Sequence, residues 1–209
     1  MIRYNCYCVT ITLDEAWEYW YGLLNKNAEE NESRDGEVVG EVINAVTVIR
    51  DPTKNVMKSP IRDLSMRYAI GEMLWYMSGK RDLKEIQKYT SGWDRFSDDG
   101  IKVNSNYGYC IKEKFGFDQY EYIKKMLTEN PNSRQAVIHI KEPSCKETKD
   151  VNCTVCLQFF IRDNKLYMTT YMRSNDIWMG VPYDMFSFTF LQIVRIDCSY
   201  TFYTCGRTN

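Results

Sequence analysis

Cys153 is a candidate nucleophile, because a soft thiolate adds readily to an electron-poor carbon. It is one of eight cysteines, and a cysteine taken alone is more often a small buried hydrophobe than a reactive group. Its spacing from Cys156 also allows a Cys-x-x-Cys redox or zinc pair. A redox pair ordinarily opens a helix after a strand, whereas Cys153 enters an alternating strand pattern, and zinc would need two further ligands. His139 is the single histidine; it falls in a stretch read as strand and is expected to be a core or surface residue, so no metal site is expected. Glu72 sits inside an otherwise apolar helical run. Buried there, it would have a raised pKa suited to moving protons; on the outer face it would be an ordinary solvated acid.

The elements that must position these groups can be read from periodicity and caps. Tyr4 to Thr12 alternates like a short strand, and Thr12-Leu13-Asp14-Glu15 offers a capping box ahead of an amphipathic stretch from Ala16 to Asn27. Asn31 to Gly36 is turn-like, and the Val- and Ile-rich segment Glu37 to Arg50 reads as sheet. A long helical pattern starts at Ser59-Pro60, runs to Met77 and ends at Gly79, with Leu64, Tyr68, Met73, Leu74 and Met77 on its apolar positions. Shorter helices are predicted over Asp82 to Tyr89 and over Gln119 to Thr128, the latter capped by Asp118 and stopped before Pro131. Then Ala136 to Ile140, Leu157 to Ile161, Asp163-Asn164 and Leu166 to Tyr171 read as strand, strand, turn, strand. The apolar, aromatic run from Met185 to Ile193 fits a helix buried on most sides. Helices and strands intermixed in this way predict an α+β fold, with a mixed-to-antiparallel sheet packed against a long buried helix.

At 209 residues and 44% hydrophobic content the chain can bury the core of one moderate domain without staples. Its net charge of -1, with both signs interspersed, lacks the basic field needed to bind a nucleic-acid polymer, and a nucleotide monomer is the more plausible partner. No apolar run of about 18 residues is present, so no membrane association is expected. With no secretory signal, the cysteines read as reduced thiols of a cytoplasmic protein, in the host cytoplasm if the gene is a phage's.

The order of short blocks carries a resemblance. Asn152-Cys153-Thr154-Val155-Cys156-Leu157-Gln158-Phe159, followed by Met172-Arg173-Ser174-Asn175-Asp176-Ile177-Trp178-Met179-Gly180-Val181-Pro182-Tyr183-Asp184, resembles the thymidylate synthase and deoxycytidylate hydroxymethylase superfamily. There a Pro-Cys-His-x-x-x-Gln-Phe strand precedes Gln-Arg-Ser-x-Asp-x-x-x-Gly-x-Pro-x-Asn. Upstream, Glu72-Met73-Leu74-Trp75-Tyr76 is similar to the family's Glu-Leu-Leu-Trp-Phe helix. Trp93-Asp94, Asn106-Tyr107-Gly108 and Asn130-Pro131-Asn132-Ser133-Arg134 are similar to its Trp-Asp, Val-Tyr-Gly and Asp-Pro-x-Ser-Arg blocks. The resemblance spans residues 12 to 192.

It implies a single catalytic domain over 1–209 that transfers one carbon from 5,10-methylenetetrahydrofolate to C5 of a pyrimidine nucleoside monophosphate, within a homodimer. Cys153 would attack C6 as a thiolate, favoured by the Arg173 guanidinium expected on a neighbouring strand. Glu72 would move protons, with Tyr107 as its helper at the C5 proton step. Arg34, Arg134, Arg173 and Ser174 are implied around the phosphate, Arg134 from the second subunit. Trp93, Asp176 and Gly180 fall on positions that meet or frame the folate, although an aromatic and an acid at such spacing are ordinarily core and cap.

Departures from the synthase pattern bear on substrate. Asp184 stands where synthases carry Asn opposite the base edge; a carboxyl can accept from the 4-amino group of cytosine and share a proton with N3, which favours dCMP or CMP over dUMP. Cys153-Thr154, Met172-Arg173 and Asn104-Ser105-Asn106 resemble the phage-type deoxycytidylate hydroxymethylases, in which water completes the reaction. Thymidylate synthesis on dUMP and a catalytically impaired nucleotide-binding remnant are the alternatives. Gln135 replaces a second arginine, and 195–209 reads as an atypical, shortened C-terminal tail in which the family's His-x-Tyr segment and folate-closing end have no counterpart.

Overall fold

A computed structural model describes residues 6–27, 29–33, 36–143, 147–195 and 202–208. In chain order the elements are β1 (Tyr7–Thr10), α1 (Leu13–Asn27), β2 (Glu29–Glu32), β3 (Val38–Ile49), α2 (Met66–Ser78) and α3 (Leu83–Gln87). A 3-10 helix (Gly92–Phe96), α4 (Tyr107–Lys112), α5 (Gln119–Glu129), β4 (Val137–His139), β5 (Thr154–Arg162), β6 (Lys165–Met172), α6 (Val181–Arg195) and β7 (Phe202–Thr208) follow. The mixed α+β class expected from the pattern is the class observed. The chain forms two compact units, one from its two ends (1–64 and 161–209) and one from Ser65–Phe160.

In the first unit β1 runs parallel to β3, and β2 pairs antiparallel with the start of β3. The capping box forms as the sequence predicts: Glu15 N–H donates to Thr12 Oγ1 at 3.1 Å and Thr12 N–H to Glu15 Oε2 at 3.3 Å. It launches α1, whose Trp20 is fully buried with Cys8, Val42 and Ala45 and donates its indole N–H to Thr47 Oγ1 at 2.8 Å. Asp163 and Asn164 both adopt left-handed φ angles, as a two-residue primed turn requires.

Two differences from the sequence reading lie here. The segment read as turn-like, Asn31 to Gly36, starts in strand, with Asn31 and Glu32 in β2, and the Gly36 N–H donates to the Ser33 carbonyl at 3.0 Å. The tail read as atypical contributes β7, antiparallel to β3 and parallel to β6. Its Phe, Tyr and Thr residues suit a strand, but its partners are supplied by segments far away in sequence.

In the second unit α2 begins at Met66 rather than at Ser59-Pro60. Ser65 caps it by accepting the Tyr68 N–H, and Gly79 closes it in a left-handed conformation, as expected. Its buried face carries Ala69, Gly71, Glu72, Met73, Trp75 and Tyr76, while Leu74, expected on the apolar face, is exposed. Trp75, Tyr76, Leu83, Ile86 and Val103 form one core cluster. Gly108 of α4 passes so close to α2 that a Cβ there would lie 1.6 Å from the Tyr76 carbonyl oxygen. Asp118 caps α5, as predicted. Buried Gln119 then joins α4 to β4, donating to the carbonyls of Cys110 (2.9 Å) and His139 (2.8 Å) and accepting the His139 N–H. His139 itself is exposed on β4, which pairs antiparallel with β5.

Candidate active site

Within the second unit the predicted residues Glu72, Trp93, Tyr107 and Cys153 are linked through their neighbours. Glu72 is 5% exposed, so its inward placement is the one observed. Burial pushes its carboxyl up to about 7, against the opposing effect of hydrogen bonds from Tyr68 and Tyr76. The Tyr68 hydroxyl donates to Glu72 Oε1 at 2.5 Å and in turn accepts the Trp93 indole N–H at 2.9 Å. Trp93 is half-buried and meets Trp75 and Phe96 edge to face at 5.1 and 5.5 Å. The ring of Tyr107 stacks on Tyr76 at 4.9 Å.

Cys153 is a half-buried thiol outside any disulfide, directly preceding β5. The three residues before it tie down the loop that leads into α4. The Asp150 carboxylate accepts the backbone N–H groups of Asn104 and Ser105, the latter at 2.8 Å, and the Asn152 amide donates to the Ser105 carbonyl at 2.7 Å. Asn106 then caps α4 by accepting the Tyr109 N–H, which starts the helix at Tyr107. Burial pushes the Cys156 thiol up and that of Cys110 up to about 11. Arg134 is exposed, and its carbonyl is held by the Gln158 side chain at 3.0 Å.

Arg173, Ser174, Asp176, Gly180 and Asp184 lie in the first unit on one continuous segment. Arg173 is exposed and follows the last residue of β6 instead of lying within the strand; half-buried Ser174 comes next. Asp176 is a cap, as its type and spacing allow: Oδ1 accepts the N–H groups of Trp178 (2.9 Å) and Met179, while its carbonyl accepts those of Gly180 and Val181. A Cβ at Gly180 would meet Asn175 Oδ1 at 2.1 Å and the Asp176 backbone N and O at 3.1 Å, so glycine lets this turn close without displacing the Asn175 side chain. Asp184 is half-buried in the first turn of α6, with its N–H bound to the Gly180 carbonyl. Beneath the turn, buried Arg62 donates from Nε to the Trp178 carbonyl and lies over the Trp178 ring at 5.2 Å. Arg34 lies outside the described residues. Among the described residues no three His, Cys, Asp or Glu side chains are grouped to hold a metal ion.

The family profile described as thymidylate synthase matches residues 21–201. The chain belongs to the thymidylate synthase family. It is 27% identical over 159 residues to a protein of Bacillus phage SP01 named deoxyuridylate hydroxymethyltransferase, an alignment covering 69% of this chain and 42% of that one. The chain thus spans less than half the length of this relative. For a thymidylate synthase family member the residues that motif reasoning passed over are the supporting ones. In the sequence Tyr68 reads only as an apolar position of α2, Asp150 lies outside the cysteine block, and Asn152 opens that block with no role of its own. The spacing of Tyr68 and Tyr76, four residues before and after Glu72, was the available signal.

Proposed function

We propose that this thymidylate synthase family protein transfers a one-carbon unit to C5 of a pyrimidine nucleoside monophosphate, with dCMP favoured and 5-hydroxymethyl-dCMP as product. The observation that carries the reading is Glu72: a buried carboxyl titrating near neutrality, in the same unit as Cys153. Such an acid can both give and take a proton at working pH. The Cys153 thiolate adds to C6 of the base, which makes C5 nucleophilic, and its departure at the end restores the ring. Glu72, with Tyr107 as its helper, handles the proton that leaves C5. Arg173 and Ser174, with Arg34, bind the phosphate; Arg134, whose exposure suits such a role, serves the phosphate of a partner subunit in a homodimer.

Methylenetetrahydrofolate, when bound, would supply the carbon, and water the hydroxyl of the product. The residue types fit such a group: a flat ring system needs apolar faces and polar edges, and in the first unit Trp178 and Met179, held by the Asp176 turn, are 40% and 54% exposed, while in the second unit, taken by itself, Trp93 is half-buried. Asp176 commits Oδ1 to its turn, which leaves Oδ2 for a ligand N–H. Gly180 keeps that turn tight.

Asp184 supports cytosine, because a carboxyl can accept from the 4-amino group and share a proton with N3. The name of the phage relative supports uracil as the base instead, and hydroxymethylation of dUMP is the second reading. Incubating the protein with C5-tritiated dCMP or dUMP and methylenetetrahydrofolate, followed by mass analysis of the product, separates them. Tritium release with dCMP and a product heavier by one hydroxymethyl group is expected, and Cys153→Ala abolishes it. Release with dUMP alone overturns the base assignment, a methylated product overturns hydroxymethylation, and no release with either overturns the enzymatic reading.

A further inference from the structure

Glu72 carries a phenol one helical turn to either side. Tyr68 and Tyr76 lie four residues before and after it, positions that share one face of α2. Where the family pattern has Phe, this chain has Tyr76. The Tyr68 hydroxyl donates to Oε1 at 2.5 Å, and the Tyr76 side chain also hydrogen-bonds the carboxyl. The Trp93 N–H, which can only donate, occupies the acceptor side of the Tyr68 oxygen at 2.9 Å. The phenol proton is thereby left to point at the carboxyl. Both ends of the arrangement are held by ring packing, Trp93 on Trp75 and Tyr76 on Tyr107.

We propose that Tyr68 and Tyr76 are positioning residues that clasp the Glu72 carboxyl in one orientation and stabilise its ionised form, with Trp93 fixing the direction of the Tyr68 hydroxyl. The proposal rests on reading Glu72 as the acid that moves protons at C5. Two donors on a carboxylate favour the charged form, in opposition to burial, so the clasp keeps the group able to ionise where it is needed.

Among the described residues no charged neighbour does this instead. On α2 Arg67 is turned to the Lys88 carbonyl, and Lys112 of α4 to that of Met77. Near α3, Lys88 pairs with Glu85 at the surface, and Asp94 of the 3-10 helix binds the Gln87 amide. Lys84 and Arg95 are exposed. The groups that shift Glu72 are burial first, then Tyr68, then Tyr76.

The test is a carboxyl titration by carbon NMR on protein labelled at glutamate Cδ, with Glu72→Gln assigning the signal. Tyr68→Phe and Tyr76→Phe each remove one donor while keeping the ring. Each is expected to weaken Glu72 ionisation by about tenfold, moving its midpoint upward, and Trp93→Phe to move it the same way by less. The acid limb of the tritium-release profile should follow in kcat, with KM for the nucleotide unchanged. A Glu72 midpoint unmoved in both Phe variants overturns the clasp, as does a downward shift. Absence of tritium release from the wild type sinks the proposed function alone, since the titration reads the clasp without turnover.

Discussion

Asn152, the residue immediately before Cys153, donates its side-chain amide to the Ser105 carbonyl at 2.7 Å, two residues ahead of Tyr107. With Asp150 accepting the Asn104 and Ser105 N–H groups, the segment entering β5 and the loop entering α4 form one hydrogen-bonded unit. Asp150 is 8% exposed and Asn104 and Ser105 are half-buried, so its loss leaves two poorly solvated backbone donors without their acceptor. Asp150→Ala should lower stability by about 3 kcal/mol in urea unfolding. It should also reduce kcat more than KM for the nucleotide, because Cys153 and Tyr107 would lose their common support.

Glu72 predicts a pH dependence of stability. Its folded value, about 7, lies above the ordinary 4.5, so the native state holds a proton that the unfolded chain has released across that interval. The stabilisation is complete below about pH 4.5 and is lost as pH rises through about 7, a change on the order of 3 kcal/mol. Urea midpoints measured from pH 5 to pH 8 should show this decline in the wild type. In Glu72→Gln, which stays neutral, this part of the slope should be gone.

Gly108 marks a close crossing of two helices. A methyl group would sit 1.6 Å from the Tyr76 carbonyl oxygen, and that backbone atom cannot swing aside as a side-chain tip could. Gly108→Ala should force α4 away from α2 and cost about 3 kcal/mol of stability, read from the thermal midpoint. Any residual activity should fall as well, since Tyr107 and Tyr76 would be drawn apart.

Asp184 tests base choice. On the proposed reading, replacing its carboxyl with an amide would remove the proton shared with cytosine N3 and supply the donor and acceptor that uracil O4 and N3–H require. Asp184→Asn is expected to move the dCMP-to-dUMP ratio of kcat/KM toward dUMP by at least about tenfold, measured by competition in the tritium-release assay. An unchanged ratio would show that another group reads the base.

Local signals were legible wherever neighbours in the chain decide the outcome. The Thr12-Glu15 capping box, the Asp118 cap, the Gly79 stop and the Asp163-Asn164 turn are interactions within a few residues, so their types announce them. Ser59-Pro60 misled for the same reason: a good local start signal lay ahead of Ser65, and only tertiary packing determined which one opened α2. The 3-10 helix at Gly92–Phe96 and the short α4 are too brief for periodicity to reveal. β7 carries strand-forming residues, yet its place beside β3 and β6 follows from pairing with segments remote in sequence.

By itself the sequence determined the family, through ordered motif blocks around Cys153, Glu72 and Asp184, because such blocks are one-dimensional records of residue type and spacing. It could not decide whether Glu72 faced water or the core. Folding decided that, since burial depends on what packs across the helix, and with it came the raised pKa and the Tyr68–Trp93 chain of donors. The tie between Asn152 and Ser105 is of the same kind: 47 residues apart in sequence, they meet only because β5 and α4 are folded together.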